Sequence, residues 1–326
     1  MADAVTIDDI RTAAGRIAAT ALATPLLSHP ELDARVGGRV FLKCENLQRT
    51  GSFKFRGAMN AVSAVEPGAR ARGIVACSSG NHAQGIAEAA RLFGVPATIV
   101  MPADAPAPKR EGTARRGATV RLYDRTGEDR DAIAAELVAE SGATLVHPFN
   151  HPHVIAGQGT IGLEIAAECA RRDLAPDAIL VPCSGGGLAA GIGVAAAALL
   201  PSAAVFVAEP AGFDDYGRSL AADAIESNAA LGGSVCDALL APRPGPIGFA
   251  LNRRNLAGGV AADDDEALAA VAFAFETLRM VVEPGGAVGL AALLAGRIDA
   301  AGKTIVVVLS GGNIDPPVLD RALGRA

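Results

Sequence analysis

The sequence predicts an α/β protein with two open, mostly parallel sheets, one in each of two lobes. Three features of its 326 residues support this. Short β-branched runs alternate with Ala-rich stretches long enough for helices, the pattern of parallel strands joined by helical crossovers. The segment 70–150 repeats that unit often enough to form a sheet of its own, leaving 1–69 and 151–326 for a larger lobe. Three later apolar runs end in tails rich in Gly, Pro, Ser or acid, and in open α/β sheets ligands bind just beyond the carboxyl ends of strands. These three strand ends therefore point to one ligand crevice.

In the small lobe, Gly73–Cys77 reads as a strand and about 82–93 as a helix. Gly94 is placed to end that helix, and Pro96 to prevent its resumption. Ala97–Met101 is the next strand, followed by a basic helix around Lys109–Arg116 and a strand at Thr119–Tyr123. A helix near Glu128–Ser141 stops at Gly142, and Thr144–His147 closes the series as a strand. In the large lobe, Ala178–Val181, Val205–Ala208 and Thr304–Leu309 are too short and too β-branched for independent helices. Their tails begin at Pro182, Glu209 and Ser310, and Leu239–Gly248 is rich enough in Pro and Gly to be a loop.

Composition excludes several classes. Half of the residues are hydrophobic, enough to bury two sheets, and the chain has two Tyr and no Trp, so it offers no aromatic platform for single-stranded nucleic acid. A net charge of −6 without a basic block argues against any nucleic-acid partner. Five cysteines, with no CxxC pair, read as buried thiols in a reducing, cytoplasmic setting. The first ten residues carry three Asp and no apolar core, so no secretory signal is expected. The uncharged stretch 178–208 is long enough for a membrane span. Pro182, the glycines at 185–187 and Pro201 break it into strand, loop, helix and strand, so no membrane partner is expected.

Three motifs carry chemistry. Lys54 stands between Phe53 and Phe55 before the small-residue turn Gly57-Ala58. An amine with a pKa of about 10.4 is protonated at neutral pH, and desolvation between two rings would free its lone pair for Schiff-base chemistry. Taken alone, the same octapeptide also suits a lysine snorkelling from a helix start. Ser184-Gly185-Gly186-Gly187-Leu188, between a strand and an Ala-rich helix, suits a phosphate cup, although many such turns are only turns. It departs from the dinucleotide fingerprint, so a phosphate monoester fits better than a nicotinamide cofactor. Ser78-Ser79-Gly80-Asn81-His82 follows a strand and could hold a carboxylate at a helix start or simply cap that helix.

These motifs occur in order with Gly157-Gln158-Gly159-Thr160, Glu283-Pro284 and Ser310-Gly311-Gly312-Asn313. Together they resemble the fold type II pyridoxal-phosphate enzymes, and within them the threonine/serine dehydratase and serine racemase group. The resemblance spans Lys43 to Asn313 and departs at Phe55, where many relatives carry an aliphatic residue. It implies a tryptophan synthase beta-like fold with pyridoxal 5'-phosphate in the crevice between the lobes, and a homodimer. Lys54 would be the Schiff-base lysine, with Phe53 packed on the pyridine ring and Asn81 at the ring hydroxyl. Gly185, Gly186, Gly187 and Leu188 would hold the phosphate, and Ser310 would face the ring nitrogen. A serine hydroxyl is too weak an acid to keep that nitrogen charged, which makes the ring a weaker electron sink and favours expulsion of a β-leaving group.

The implied activity is that of a lyase of amino-acid catabolism, converting L-threonine or L-serine into the 2-oxo acid and ammonia. Ser78, Asn81 and His82 would grip the substrate carboxylate. Ser79 would be the second acid/base of a serine racemase. Arg130 stands where the racemase group carries a substrate-facing arginine, and it or Arg243 in the Pro/Gly loop could supply the added cation that a 3-hydroxyaspartate dehydratase needs; the alternative for each is a solvated helix or loop charge. Glu209, the Phe213 carbonyl and Asp215 resemble the group's Mg²⁺ or Ca²⁺ site, an oxygen set suited to a hard cation. The alternative is a solvated acidic loop. His147, His151 and His153 are interrupted by Pro148 and Pro152 and read as structural.

Overall fold

The computed structural model describes residues 4–78, 80–105, 107–124, 126–230 and 232–325. Ten strands form two sheets. β1 (Leu26–Leu27), β2 (Arg39–Cys44), β7 (Ala178–Pro182), β8 (Ala204–Pro210), β9 (Gly258–Ala262) and β10 (Thr304–Leu309) make a six-stranded sheet in the order β1-β2-β10-β7-β8-β9. Only β1 runs antiparallel to its neighbour, so this sheet is mixed. β3 (Ile74–Cys77), β4 (Ala97–Pro102), β5 (Thr119–Tyr123) and β6 (Thr144–Leu145) make a four-stranded, wholly parallel sheet in the order β5-β4-β3-β6.

Burial follows this topology. Every residue of β7 is buried, as is all of β10 after Thr304, as befits central strands covered on both faces. The six-stranded sheet has a core on each face, one around Val40, Leu180, Val288 and Val307, the other around Ile179, Val181, Val207 and Val306. The core over the four-stranded sheet draws on Ile74, Ile86, Ile99 and Val146, and also on Phe55, Met59 and Val154 from outside 70–150. The Lys54–Ala64 helix thus leans its apolar face on the smaller sheet.

Two strands of the larger sheet have weak sequence signals. β2 carries a fully buried Lys43, tolerable only because its ammonium donates to Glu164 at 2.5 Å and to the Thr24 carbonyl at 2.6 Å. β9 has a single β-branched residue and forms by pairing with β8. The expected 144–147 strand ends at Leu145; the Val146 N–H still donates to the Val75 carbonyl at 2.9 Å, and the chain then brings the Pro148 carbonyl to the Lys54 amine. The expected 239–248 loop is shorter, since a helix begins at Pro246. Among the described residues, no helix is long and apolar enough to cross a membrane.

Candidate active site

β10, β7 and β8 are adjacent and parallel, so the tails after Leu309, Pro182 and Pro210 emerge side by side. After β7 the chain forms a cup at the start of the Gly187–Leu199 helix, whose first N–H groups have no intrahelical acceptor. Only glycine fits this cup. A Cβ at Gly185 would lie 2.3 Å from the Phe149 ring, and one at Gly187 2.8 Å from the Phe149 carbonyl. Gly186 has φ +87°, and a Cβ there would lie 2.2 Å from Tyr216. Leu188 is buried behind the cup. The Ser184 hydroxyl accepts from the Ala241 N–H at 3.0 Å, which ties the cup to the following loop.

Lys54 starts its helix opposite the tails. Its Nζ donates to the Pro148 carbonyl at 3.0 Å and lies 5.1 Å from the centre of the Phe53 ring. Burial lowers its pKa to about 8. The expected sandwich between two rings is corrected. Phe55 is buried in the neighbouring core with Arg49 over its face, because successive helical residues point 100° apart. Desolvation of the amine comes from Phe53 and the crevice walls.

Two residues on, Arg56 is also buried. It donates to both oxygens of buried Glu45 at 2.8 Å, to both oxygens of Glu164 at 2.6 and 2.9 Å, and to the Leu22 carbonyl at 3.0 Å. With Lys43 on the same Glu164, two cations and two carboxylates anchor the first turn of the Lys54 helix.

Ser78 and Gly80 lie between β3 and the Asn81–Phe93 helix. The Ser78 hydroxyl accepts from the Gly80 N–H at 3.2 Å. Ser79 lies outside the described residues. Asn81 reaches across to the other sheet's tails, where its Nδ2 donates to Glu283 at 2.6 Å and its Oδ1 accepts from Asn313 at 2.7 Å. Of His82, the backbone N–H and not the ring is left for the expected grip on a carboxylate. The ring is buried and neutral, its pKa pushed down to about 3 by burial. Its Nε2–H donates to the Val146 carbonyl at 3.1 Å, leaving Nδ1 as a buried, unpartnered acceptor with no proton to offer an anion. The helix N-terminus itself keeps its free N–H groups.

Ser310 follows β10 beside Lys54, its carbonyl accepting from the Phe53 N–H at 3.0 Å, and its hydroxyl makes no hydrogen bond among the described residues. Three groups to which the sequence assigns no role stand at this site. The Pro148 carbonyl holds the amine, the Phe149 ring walls the cup, and buried Glu283 pairs with Asn81. Burial pushes Glu283 up to about 7. The Glu283-Pro284 pair marks a helix start in the sequence, but nothing local points to Asn81, 202 residues away.

The remaining candidates lie around this centre. Arg130 is exposed at the start of its helix, with Asp131 at 3.6 Å, and its carbonyl accepts from the Cys77 thiol just before Ser78. Arg243 is exposed in its loop. Glu209 is buried and accepts from the Tyr216 and Gly217 N–H groups at 3.0 and 2.8 Å. Asp215 is buried, with one oxygen on Asn228 at 2.6 Å and the other unpartnered. Burial holds Glu209 well above the usual carboxylate range and Asp215 at about 6. Phe213 is buried beside them. Among the described residues no three His, Cys, Asp or Glu side chains gather as a metal site. His147 takes the Phe149 and Asn150 N–H groups on Nδ1, the structural part expected of it.

Comparison with known proteins places the chain. The family described as pyridoxal-phosphate dependent enzyme matches residues 17–311. An L-threo-3-hydroxyaspartate ammonia-lyase of a Pseudomonas species is 42% identical over 94% of this chain and 95% of its own. An L-threonine ammonia-lyase of Thermotoga maritima is 39% identical over 98% of this chain and 79% of its own. The structure of maize serine racemase superposes with a TM-score of 0.92 at 37% identity, covering 99% of this chain and 98% of that one. With its glycine cup, its crevice lysine and these relatives, the chain belongs to the pyridoxal-phosphate dependent enzymes of fold type II.

Proposed function

We propose that the protein is a lyase that removes water and ammonia from a small L-3-hydroxy amino acid, L-threonine or L-serine in the first place, giving the 2-oxo acid. The observation that carries this is the Lys54 amine, held at the Pro148 carbonyl over Phe53 with its pKa lowered to about 8. At pH 7.5 about a quarter of such amines are neutral, roughly two hundredfold more than for an exposed lysine. The residues present fit pyridoxal phosphate. The cup admits no side chain at Gly185, Gly186 or Gly187, and Ser310 has a hydroxyl to spare. The cofactor supplies an electron sink that acidifies the substrate's α-proton.

On this reading Lys54 would hold the cofactor, and its amine would take the substrate's α-proton as general base. The cup N–H groups and Leu188 hold the phosphate, Phe53 backs the ring, and Asn81 donates to its hydroxyl. Ser78 and the N–H groups of the 78–82 turn orient the substrate carboxylate. We further propose two working lobes, 70–150 and the remainder, and a homodimer.

A second substrate reading, L-threo-3-hydroxyaspartate, is favoured by Arg130, an exposed cation that adjoins the substrate turn and has the exposed carboxylate of its neighbour Asp131 at 3.6 Å. Two relatives at 41–42% identity carry that name. Ser79 remains the proposed acid/base for serine racemisation. Glu209, Phe213 and Asp215 are proposed to hold Mg²⁺ or Ca²⁺, supported by the two raised carboxyls and the unpartnered Asp215 oxygen.

Ammonia release from L-threonine, L-serine and L-threo-3-hydroxyaspartate tests the assignment, with product chirality followed for serine. Turnover of L-threonine or L-serine that survives Arg130→Ala is expected. Preference for hydroxyaspartate that collapses in Arg130→Ala establishes the second reading instead. No ammonia from any of the three by cofactor-loaded protein overturns both.

A further inference from the structure

Asn81 is held by two distant groups, Glu283 and Asn313, and Asn313 in turn by the Thr50 carbonyl. The order of donors starts at a backbone carbonyl. Thr50 has φ +69°, a conformation uncommon for a residue with a side chain, and its carbonyl accepts from Asn313 Nδ2 at 2.8 Å. A carbonyl can only accept, so the amide end of Asn313 that faces it must be the NH₂. That same nitrogen donates to Asn81 Oδ1 at 2.7 Å, which spends both of its hydrogens. The oxygen end of Asn81 is thereby assigned to Asn313, and its NH₂ faces Glu283 Oε1 at 2.6 Å. A flipped Asn81 would set its NH₂ against that of Asn313 and its oxygen against a carboxyl oxygen. One Nδ2–H of Asn81 goes to Glu283, and one is left over.

Glycines make room for this chain of contacts. A Cβ at Gly311 would lie 2.0 Å from Glu283 Oε1 and 3.3 Å from Asn81 Nδ2, and one at Gly51 would lie 2.4 Å from Asn313 Oδ1. Glu283 is buried at the N-terminus of the Pro284–Leu294 helix and keeps an acceptor oxygen whether or not it is protonated.

We propose that Glu283 and Asn313 are positioning residues that lock the Asn81 amide in one orientation, keeping its remaining Nδ2–H as a donor to the ring oxygen of the bound cofactor. This rests on the proposed role of Asn81 at that oxygen. It gives the Thr50-Gly51 turn, Gly311-Gly312-Asn313 and Glu283-Pro284 one shared task. The device also ties the four-stranded sheet, through Asn81, to the tails of the six-stranded one.

The test uses full-length protein stripped of cofactor and titrated with pyridoxal phosphate, reading the dissociation constant and the ratio of the two near-ultraviolet and visible bands of the loaded protein. That ratio reports the protonation state of the ring oxygen, and a purely structural role would leave it unmoved. Asn313→Asp puts an acceptor where Asn81 needs a donor. It is expected to weaken cofactor binding about tenfold, the worth of one hydrogen bond to a charged group, and to shift the band ratio as Asn81→Ala does. Glu283→Ala should do the same, and Glu283→Gln, which retains an acceptor, should restore both readouts. In the double variant Asn81→Ala/Asn313→Asp the second change should add nothing. If Asn81→Ala alters both readouts while Asn313→Asp and Glu283→Ala alter only thermal stability, the positioning role is overturned. If Asn81→Ala itself leaves both unchanged, the role assigned to Asn81 falls, and the positioning role with it.

Discussion

Replacing Gly186 by alanine separates two costs that the phosphate cup imposes on its backbone. Gly186 has φ +87°, a left-handed conformation that costs an L-residue about 1–2 kcal/mol. The added Cβ would also lie 2.2 Å from a Tyr216 ring carbon and 2.3 Å from its hydroxyl oxygen. That ring has nowhere to go. Tyr216 is fully buried, and its hydroxyl accepts from Asn252 Nδ2 at 2.7 Å, which also donates to the Gly186 carbonyl at 3.1 Å. Overpacking of this kind costs about 1–3 kcal/mol, so the total expected loss is about 2–5 kcal/mol. Gly94→Ala is the control, since Gly94 has φ +64° but an added methyl group there would meet nothing within 4 Å, and it should lose only the conformational part, about 1–2 kcal/mol. Urea denaturation of the cofactor-free variants measures both losses, and pyridoxal phosphate titration of Gly186→Ala should show affinity at least about tenfold weaker. Equal stability losses in the two variants, with cofactor affinity unchanged, would refute the claim that a rigid Tyr216 wall demands glycine.

Arg56→Met strands buried Glu45 and should cost about 3–5 kcal/mol by denaturant midpoint, whereas Arg11→Ala, which breaks an exposed pair with Asp8, should cost under about 1 kcal/mol. Because the Lys54 pKa is lowered to about 8, the rate at which cofactor-free protein captures pyridoxal phosphate should rise with pH and level off just above 8; a rise continuing past pH 10 would contradict the shift. The sign for stability follows from the same shift: between about 8 and the ordinary 10.5 the unfolded chain holds a proton that the folded protein has released, so this group makes stability rise with pH across that window. Chelator should lower the melting temperature and Mg²⁺ or Ca²⁺ restore it, with Asp215→Asn abolishing the response; melting curves indifferent to both would count against a cation at Glu209 and Asp215.

Several features follow from neighbouring residues alone. Gly94 and Gly142 end their helices in the left-handed conformation, as their positions after periodic stretches predict. The β-branched runs at 74, 97, 119, 178, 205 and 304 became strands, and the tails after Pro182, Pro210 and Leu309 became neighbours because their parent strands are parallel. Local composition suffices where backbone sterics or side-chain branching decide the outcome. Tertiary structure alone decided the rest. Lys43 is a strand residue because Glu164, 121 positions on, neutralises it. Phe55 leaves the lysine because the adjoining core takes it, and His82 loses its donor because Val146 lies in reach. Asn81 meets Glu283 and Asn313 across 202 and 232 residues, and the direction of that amide depends on which end of Asn313 faces one carbonyl. Hydrogen-bond direction and desolvation are properties of a closed environment, so they exist only once the two sheets have brought their strand ends together.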